Sequence, residues 1–198
     1  GMKMAFPRYD YDDMVDAQRR MLIEALGVNQ LQLILGTSMG CMHGFIWGTR
    51  YPGFARRLAP FACNAMQIAG RNRMWRQMSI DAIEADPLWN GGNYTQPPES
   101  GLRTALYLSI IAGGNAWAMQ EQFPTREQAV DYLHDSYASR AKSDLDANDQ
   151  IYQLDSSRNY NQAPNLAKIT VPVLWINSSD DFINPPELGQ AQHHAKLM

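Results

Sequence analysis

The sequence is poor in cysteine, has no long apolar run and carries little net charge. Cys41 and Cys63 are the two cysteines among 198 residues, too few for a disulfide framework, which favours a reducing cytoplasm. No stretch approaches the roughly 20 consecutive apolar residues that a membrane-spanning helix needs. The formal net charge of −3 provides no bulk attraction to nucleic acid or to an anionic membrane surface. Nucleic-acid and membrane partners are therefore not expected.

The composition is that of a folded globular protein. Hydrophobic residues make up 45% of the chain and charged residues 19%, whereas a disordered chain would be less apolar and more strongly charged. At roughly 150 residues per domain, the length fits one domain, or one domain with an additional inserted segment. We therefore interpret residues 1–198 as a single domain.

Helical and strand patterns alternate along the chain, which indicates an α/β fold with a parallel sheet. The patterns predict helices at 12–26 and 40–50, strands at 31–35, 58–64 and 171–177, and a final helix that begins near Pro186. The strand at 31–35 is almost entirely apolar, as expected for a strand buried on both faces.

The middle of the chain has a different pattern, which predicts helices joined by loops. These helices are expected at 72–85, 101–113, 125–141 and 145–157, and Thr125 with Gln128 has the spacing of a capping box. We interpret residues 66–160 as a helical cap insertion between two strands of the sheet.

A tight turn between the first strand and the second helix carries the clearest chemical motif. Gly36-Thr37-Ser38-Met39-Gly40 has the pattern G-x-S-x-G, in the strand-to-helix context that a nucleophile elbow needs. Such a turn exposes the Ser38 hydroxyl at the helix N-terminus, and the N–H of Met39 would face a developing oxyanion. The alternative is an ordinary glycine-rich turn in which Ser38 is the N-cap.

A carboxylate that could orient a catalytic base follows the last predicted strand. A serine nucleophile needs a base, and the base needs an acid to hold it. Asp181 is the candidate acid, because the turn after it would direct it across the top of the sheet, and Asp180 is the second choice. Alternatively, either aspartate is an N-cap of the final helix.

Several segments of the sequence resemble one known family. They are Asp13-Met14-Val15 with Gln18, Leu26-Gly27-Val28, Gly36 to Met42 with Trp47 and Tyr51-Pro52, Asp86 to Tyr94 with Gly101-Leu102, Asp146-Ala147-Asn148, and Val171 to Asp181 with Pro185-Pro186-Glu187. In this order and spacing they are similar to the homoserine O-acetyltransferase branch of the α/β-hydrolase fold. The match covers most of the chain. The segments in the cap region, Asp86 to Tyr94, Gly101-Leu102 and Asp146-Ala147-Asn148, are the ones that favour this branch.

The resemblance implies a serine acyl-enzyme mechanism on small-molecule substrates. Ser38 would take an acetyl group from acetyl-CoA and pass it to a hydroxyl, as in the acetylation of homoserine for methionine biosynthesis. No metal or tightly bound cofactor would be needed. Thr37 and Cys41 stand where members close to the biosynthetic enzyme have glycine. The acyl acceptor therefore stays open, and an esterase of the same fold is the alternative.

The resemblance also implies a partial α/β-hydrolase fold with a few-stranded parallel sheet. That fold has about eight strands, with the nucleophile after the fifth. Only 37 residues precede Ser38, and the family's last strand and catalytic histidine would lie beyond Met198. The four histidines present do not match that position and are predicted to be surface or satisfied histidines: His43, His134, His193 and His194. Activity is expected to be impaired, and a non-catalytic, self-associating fragment is a third interpretation.

A sheet of so few strands would have open edges and uncovered apolar faces. Open strand edges pair with other chains, and large apolar patches mark contact surfaces. We therefore expect a dimer or a higher homo-oligomer.

Three arginines near the start of the helical insertion are candidate substrate-binding residues. Arg71, Arg73 and Arg76 lie beside Trp75 and could meet a substrate carboxylate or the phosphates of CoA. The alternative is a solvated helix face. The residues from Asp144 onward begin like a calcium loop but lack its required glycine and glutamate, so no metal site is expected.

Overall fold

In the computed structural model, which describes residues 1–141 and 145–198, two short strands are accompanied by eight α-helices. The strands are β1 (Ile34–Thr37) and β2 (Leu58–Phe61). The α-helices are α1 (Tyr11–Arg20), α2 (Met39–Arg50), α3 (Gly70–Glu84), α4 (Glu99–Gly113), α5 (Ala116–Gln122), α6 (Arg126–Ala141), α7 (Ala147–Asp155) and α8 (Gln190–His194). A π-helical segment, Met21–Ala25, continues α1, and 3₁₀ helices lie at Lys3–Ala5, Pro87–Gly92, Ala163–Lys168, Pro186–Leu188 and Ala195–Leu197.

The chain forms two units. The helical unit comprises residues 1–8 and 69–155, and the sheet unit comprises residues 9–68 and 156–198. Each unit has its own cluster of buried apolar side chains, for example Val15 and Phe45 in the sheet unit and Ile83 and Leu102 in the helical unit. Burial of such side chains is the main favourable contribution to folding, so each unit has its own core.

Three chain segments run parallel in the sheet unit. β1 pairs with β2, and bridges at Val173 and Ile176 bring a third segment against the opposite side of β2. This second pairing is interrupted, because Pro60 in β2 has no N–H to donate. The strand expected at 171–177 is therefore a paired segment rather than a regular strand. Since all three segments are parallel, their carboxyl ends lie at the same edge of the sheet.

The two faces of this sheet are buried to different extents. Helix α2 packs on the face that contains Ile34, Leu58 and Val173, which belong to the core of the sheet unit. The opposite face carries exposed apolar side chains, with exposed fractions of 48% for Leu33, 59% for Leu35, 60% for Leu174 and 48% for Ile176. The prediction that the first strand is buried on both faces is therefore wrong, because among the described residues a helix packs against only one of its faces.

The ends of the helices follow from local sequence. Asp10 caps the start of α1 in a capping box with Asp13. Gly27 follows the π-helical segment that continues α1, and its positive φ of 67° ends that segment. The capping box expected at Thr125 and Gln128 is confirmed, since each backbone N–H donates to the other side chain at 3.2 Å.

The helices expected at 72–85, 101–113, 125–141 and 145–157 correspond to α3, α4, α6 and α7, while α5 was not predicted. Helix α5 has seven residues and is too short for a clear apolar period. Among the described helices, none has both the length and the apolarity needed to cross a membrane.

Candidate nucleophile and acid site

The backbone at Ser38 has the strained conformation of a sharp strand-to-helix turn. Ser38 has φ 52° and ψ −111°, a conformation that side-chain-bearing residues rarely adopt. Gly36 makes the turn sterically feasible, since a Cβ added there would overlap the carbonyl oxygen of Gly40. A Cβ added at Gly40 would instead meet open space. Close approach therefore requires glycine at the first of the two positions only.

Ser38 is held through its main chain. Its N–H donates to the carbonyl oxygen of Phe61 at 2.9 Å, and its own carbonyl oxygen accepts from the Met42 N–H at 3.1 Å. The residue is exposed, and its side chain makes no capping hydrogen bond within the described chain. Ser38 therefore occupies the N-cap position of α2, but within the described chain its side chain does not make the capping hydrogen bond that the alternative interpretation implies.

Met39 is the first residue of α2. The first N–H groups of a helix have no partner within the helix, and together with the helix dipole they favour a negative charge. The Met39 N–H follows Ser38 directly, so an oxyanion formed on an acyl group at Ser38 would lie near a suitable donor.

Asp181 lies in a tight turn after the third paired segment. Its Oδ1 accepts from the backbone N–H groups of Ile183 at 2.8 Å and Asn184 at 2.7 Å, and its Oδ2 accepts from Asn184 Nδ2 at 3.3 Å. Asp180 is exposed and accepts from the Ser178 hydroxyl. Helix α8 begins after Gly189, so neither aspartate is its N-cap.

The segment that follows β2 lies between the turn at Ser38 (the serine turn) and the turn at Asp181–Asn184 (the acid turn). Asn184 Nδ2 donates to the carbonyl oxygen of Ala62 at 3.3 Å. Asn177 contacts both backbone groups of Cys63, accepting from its N–H at 3.1 Å and donating to its carbonyl oxygen at 3.2 Å. The same carbonyl oxygen accepts from the Trp175 indole at 3.0 Å. The end of β2 is thus fixed to the end of the third segment.

A disulfide joins this segment to the helix that follows Ser38. Cys41 in α2 and Cys63 are bonded, their Cα atoms are 6.0 Å apart, and both residues are fully buried. The expectation of a reducing cytoplasm, a compartment in which disulfides are rare, did not include this bond. The two residues are 22 positions apart in sequence, and the packing of α2 against β2 brings them together.

The histidines differ in their surroundings. His43 is buried in α2 and its ring meets Tyr11 edge-on with centroids 4.9 Å apart, so it is not a surface residue. Its Nε2 has no hydrogen-bond partner among the described residues, which contradicts the expectation of a satisfied histidine. Burial lowers the pKa of His43. His194 Nδ1 lies 2.8 Å from the Gln190 carbonyl oxygen, whereas His134 and His193 are exposed.

The three candidate arginines begin α3 in the helical unit, and they have different environments. Arg71 is exposed, whereas Arg76 is buried with its Nε donating to Asn72 at 2.9 Å. Arg73 donates to Gln77 at 2.9 Å and helps to line a cavity of about 380 Å³ within the helical unit. A solvated helix face therefore describes Arg71 but not Arg76.

Asp144, the first residue of the sequence that begins like a calcium loop, lies outside the described residues. Within residues 1–141 and 145–198, no three His, Cys, Asp or Glu side chains group as a metal site would require.

The geometry of this strand-to-helix turn agrees with the comparison to known proteins. Residues 4–195 match the family model for the alpha/beta hydrolase fold. The chain belongs to the α/β-hydrolase fold family.

The chain is similar both to acetyltransferases and to ester hydrolases of this fold. It is 33% identical to homoserine O-acetyltransferase of Methanohalophilus mahii over 92% of this chain and 40% of that protein. It superposes on homoserine O-acetyltransferase from Bacillus anthracis with a TM-score of 0.88 and 21% identity, over 99% of this chain and 57% of that one. An acetylester hydrolase from Corynebacterium glutamicum gives a TM-score of 0.83 and 23% identity, over 98% and 58%. The chain thus spans about half the length of the relatives that it matches.

Proposed function

We propose that this α/β-hydrolase chain carries out serine-dependent acyl transfer with Ser38 as the nucleophile. The strained, exposed turn at Ser38 carries this proposal. A serine that served only to cap α2 would use its side chain for that purpose, and within the described chain Ser38 does not. The similarity of this chain to part of longer proteins named homoserine O-acetyltransferase supports the same chemistry.

The proposed first step transfers an acetyl group from a thioester such as acetyl-CoA to Ser38. The Oγ atom forms a bond to the carbonyl carbon while its proton passes to a base, and the carbon–sulfur bond breaks as the thiolate takes up that proton. The Met39 N–H would stabilise the oxyanion, and Asp181 would orient the base. In the second step an acceptor hydroxyl attacks the acetyl-serine, forms the new ester and returns a proton to Ser38.

The proposed arrangement has no base among the described residues. Within the described chain, no histidine hydrogen-bonds to Ser38 or to Asp181. We therefore propose that acylation by these 198 residues alone is slow and that added imidazole accelerates it. Residual rates without the base are expected, since binding and oxyanion stabilisation operate without it.

An esterase that passes the acetyl group to water is the second candidate. The similarity to an acetylester hydrolase of the same fold favours it as much as the similarity to acetyltransferases favours transfer. Addition of homoserine to acetylated protein separates the two, because a transferase forms O-acetylhomoserine whereas an esterase releases free acetate at an unchanged rate.

Arg71, Arg73 and Arg76 are proposed to bind the anionic part of a substrate. Guanidinium groups match carboxylates and phosphates geometrically, and Arg73 lines a cavity of the helical unit together with Arg8, Glu84 and Asp155. A cytoplasmic location is proposed for an enzyme that uses acetyl-CoA, and in that compartment thiol reductants would act against the Cys41–Cys63 disulfide.

Self-association is proposed from the exposed sheet face. Its apolar side chains, Leu33, Leu35, Leu174 and Ile176, would be shielded from water by a second copy of this chain. Light scattering should therefore report a dimer or a larger species, and a monomer at micromolar concentrations would contradict this proposal.

The experiment that tests the nucleophile is intact-mass measurement after exposure to acetyl-CoA or to 4-nitrophenyl acetate. One acetyl adduct is expected on the unaltered chain, faster with imidazole, and none on Ser38→Ala. A matched control is Ser100→Ala, at an exposed serine of α4 in the other unit. An adduct of equal yield on Ser38→Ala would show that Ser38 is not the nucleophile.

A further inference from the structure

Asn184 occupies an unusual position in the acid turn. Its neighbours Ile183 and Pro185 are partly exposed, but Asn184 is buried, with an exposed fraction of 6%. A buried amide side chain is costly unless its hydrogen-bonding groups are satisfied. The partners of Asn184 should therefore indicate why a polar residue is kept there.

Asn184 contacts both oxygen atoms of the Asp181 carboxylate. Its backbone N–H donates to Oδ1 at 2.7 Å, and its side-chain Nδ2 donates to Oδ2 at 3.3 Å. The Ile183 N–H adds a second bond to Oδ1 at 2.8 Å. Donors on both oxygen atoms restrict rotation of the carboxylate, and hydrogen bonds to a charged acceptor are stronger than neutral ones.

The same side chain also reaches the end of β2. Asn184 Nδ2 donates to the carbonyl oxygen of Ala62 at 3.3 Å, and Asn184 Oδ1 accepts from Asn64 Nδ2 at 3.5 Å. The carbonyl oxygen of Phe61, one residue before Ala62, accepts from the Ser38 N–H. Two consecutive carbonyl groups of one segment therefore bond to the serine turn on one side and to the acid turn on the other.

Ala62 has a conformation that alanine rarely adopts. Its φ is 56°, in the left-handed region where a Cβ is unfavourable. Such strain persists where surrounding contacts impose it, and it is concentrated at functional sites. The hydrogen bond from Asn184 is one of the contacts that hold the Ala62 carbonyl group in this orientation.

We propose that Asn184 is a positioning residue for Asp181, which fixes the acid relative to the Ser38 turn through the Phe61–Ala62 segment. The proposal rests on the proposed function, because it assigns to Asp181 the role of the acid. Asn184 itself touches no reacting atom and acts through the orientation of the carboxylate. It differs from a purely structural residue in that its effect on the reaction requires Asp181.

The test is a double-mutant cycle on acylation by 4-nitrophenyl acetate in the presence of imidazole. Asn184→Ala should lower the maximal acylation rate about tenfold, the effect of one lost hydrogen bond to a charged group, without changing the ester concentration for half-maximal rate. In an Asp181→Asn background the same substitution should change the rate less than twofold. Asn159→Ala is the matched control, because Asn159 Nδ2 also donates to a carboxylate, Asp10 Oδ2, at 2.7 Å.

Equal rate losses from Asn184→Ala in both backgrounds would overturn the proposal, since a structural residue acts whether or not Asp181 is present. Hydrogen exchange provides a readout that does not depend on activity. Asn184→Ala should speed exchange of the Ile183 amide at least fivefold, whereas Asn159→Ala should not. If Ser38 is never acylated, the proposed function fails, but faster exchange still supports the positioning of Asp181 and unchanged exchange refutes it.

Discussion

Removal of the Cys41–Cys63 disulfide is expected to destabilise the sheet unit by about 3 kcal/mol. The bond closes a loop between residues 22 positions apart. In the chain-entropy model, releasing a loop of this length gives the unfolded chain conformational freedom equivalent to about 3 kcal/mol at 25 °C. Comparison of the oxidised and reduced forms of the same chain isolates this effect, because no side-chain volume is removed from the core.

Urea unfolding, monitored by hydrogen exchange of the peptide that covers α2, measures the effect within the sheet unit. The urea concentration at the unfolding midpoint should fall on reduction. Once unfolded, the reduced form should take up an alkylating label on two cysteines. Cys41→Ala combined with Cys63→Ala is the control, since a reductant should not shift its midpoint. The reasoning would be refuted if oxidised and reduced chains differed by less than about 0.5 kcal/mol in unfolding free energy.

Two further predictions concern the serine turn and the buried histidine. Gly36→Ala should abolish Ser38 acylation and lower stability, because the added Cβ would overlap the Gly40 carbonyl oxygen. Gly40→Ala is the control and should retain the fold, because its Cβ meets open space. Circular dichroism checks the fold and intact mass checks acylation, and a fully active Gly36→Ala would contradict the steric argument. Burial lowers the pKa of His43, so below the unfolded pKa of about 6.5 the unfolded chain binds more protons, and stability should fall as pH drops from 7 to 5. His43→Gln should weaken this pH dependence in urea unfolding, and an identical slope would count against His43 as its source.

Local sequence was sufficient to predict the strand-to-helix turn at Ser38. The pattern G-x-S-x-G combines a serine with a glycine where a Cβ cannot fit, and the apolar run before it and the helical pattern after it are both local signals. The position of Asp181 after the last paired segment was likewise predictable, because a carboxylate after a parallel strand must lie at the edge where the other strands end. The cap of α1 at Asp10 also depends on neighbouring residues alone.

Contacts between distant residues could not be predicted in this way. The Cys41–Cys63 bond, the burial of His43 against Tyr11 and the link from Asn184 to Ala62 each join segments whose separation in space depends on packing. Whether one face of the sheet is buried or both faces are buried depends on which helices pack against it. An apolar strand sequence is compatible with both arrangements, so it could not distinguish them.

The sequence by itself determined the turn at Ser38, the position of Asp181 after the third segment and the alternation of strands and helices, because periodicity, glycine sterics and capping act over a few residues. Only the tertiary structure decided that Cys41 is bonded to Cys63 and that one sheet face is apolar and exposed. It also decided that Ser38 and Asn184 hydrogen-bond to the neighbouring carbonyl groups of Phe61 and Ala62. These features depend on parallel pairing across β2, which brings together residues more than 20 positions apart in sequence.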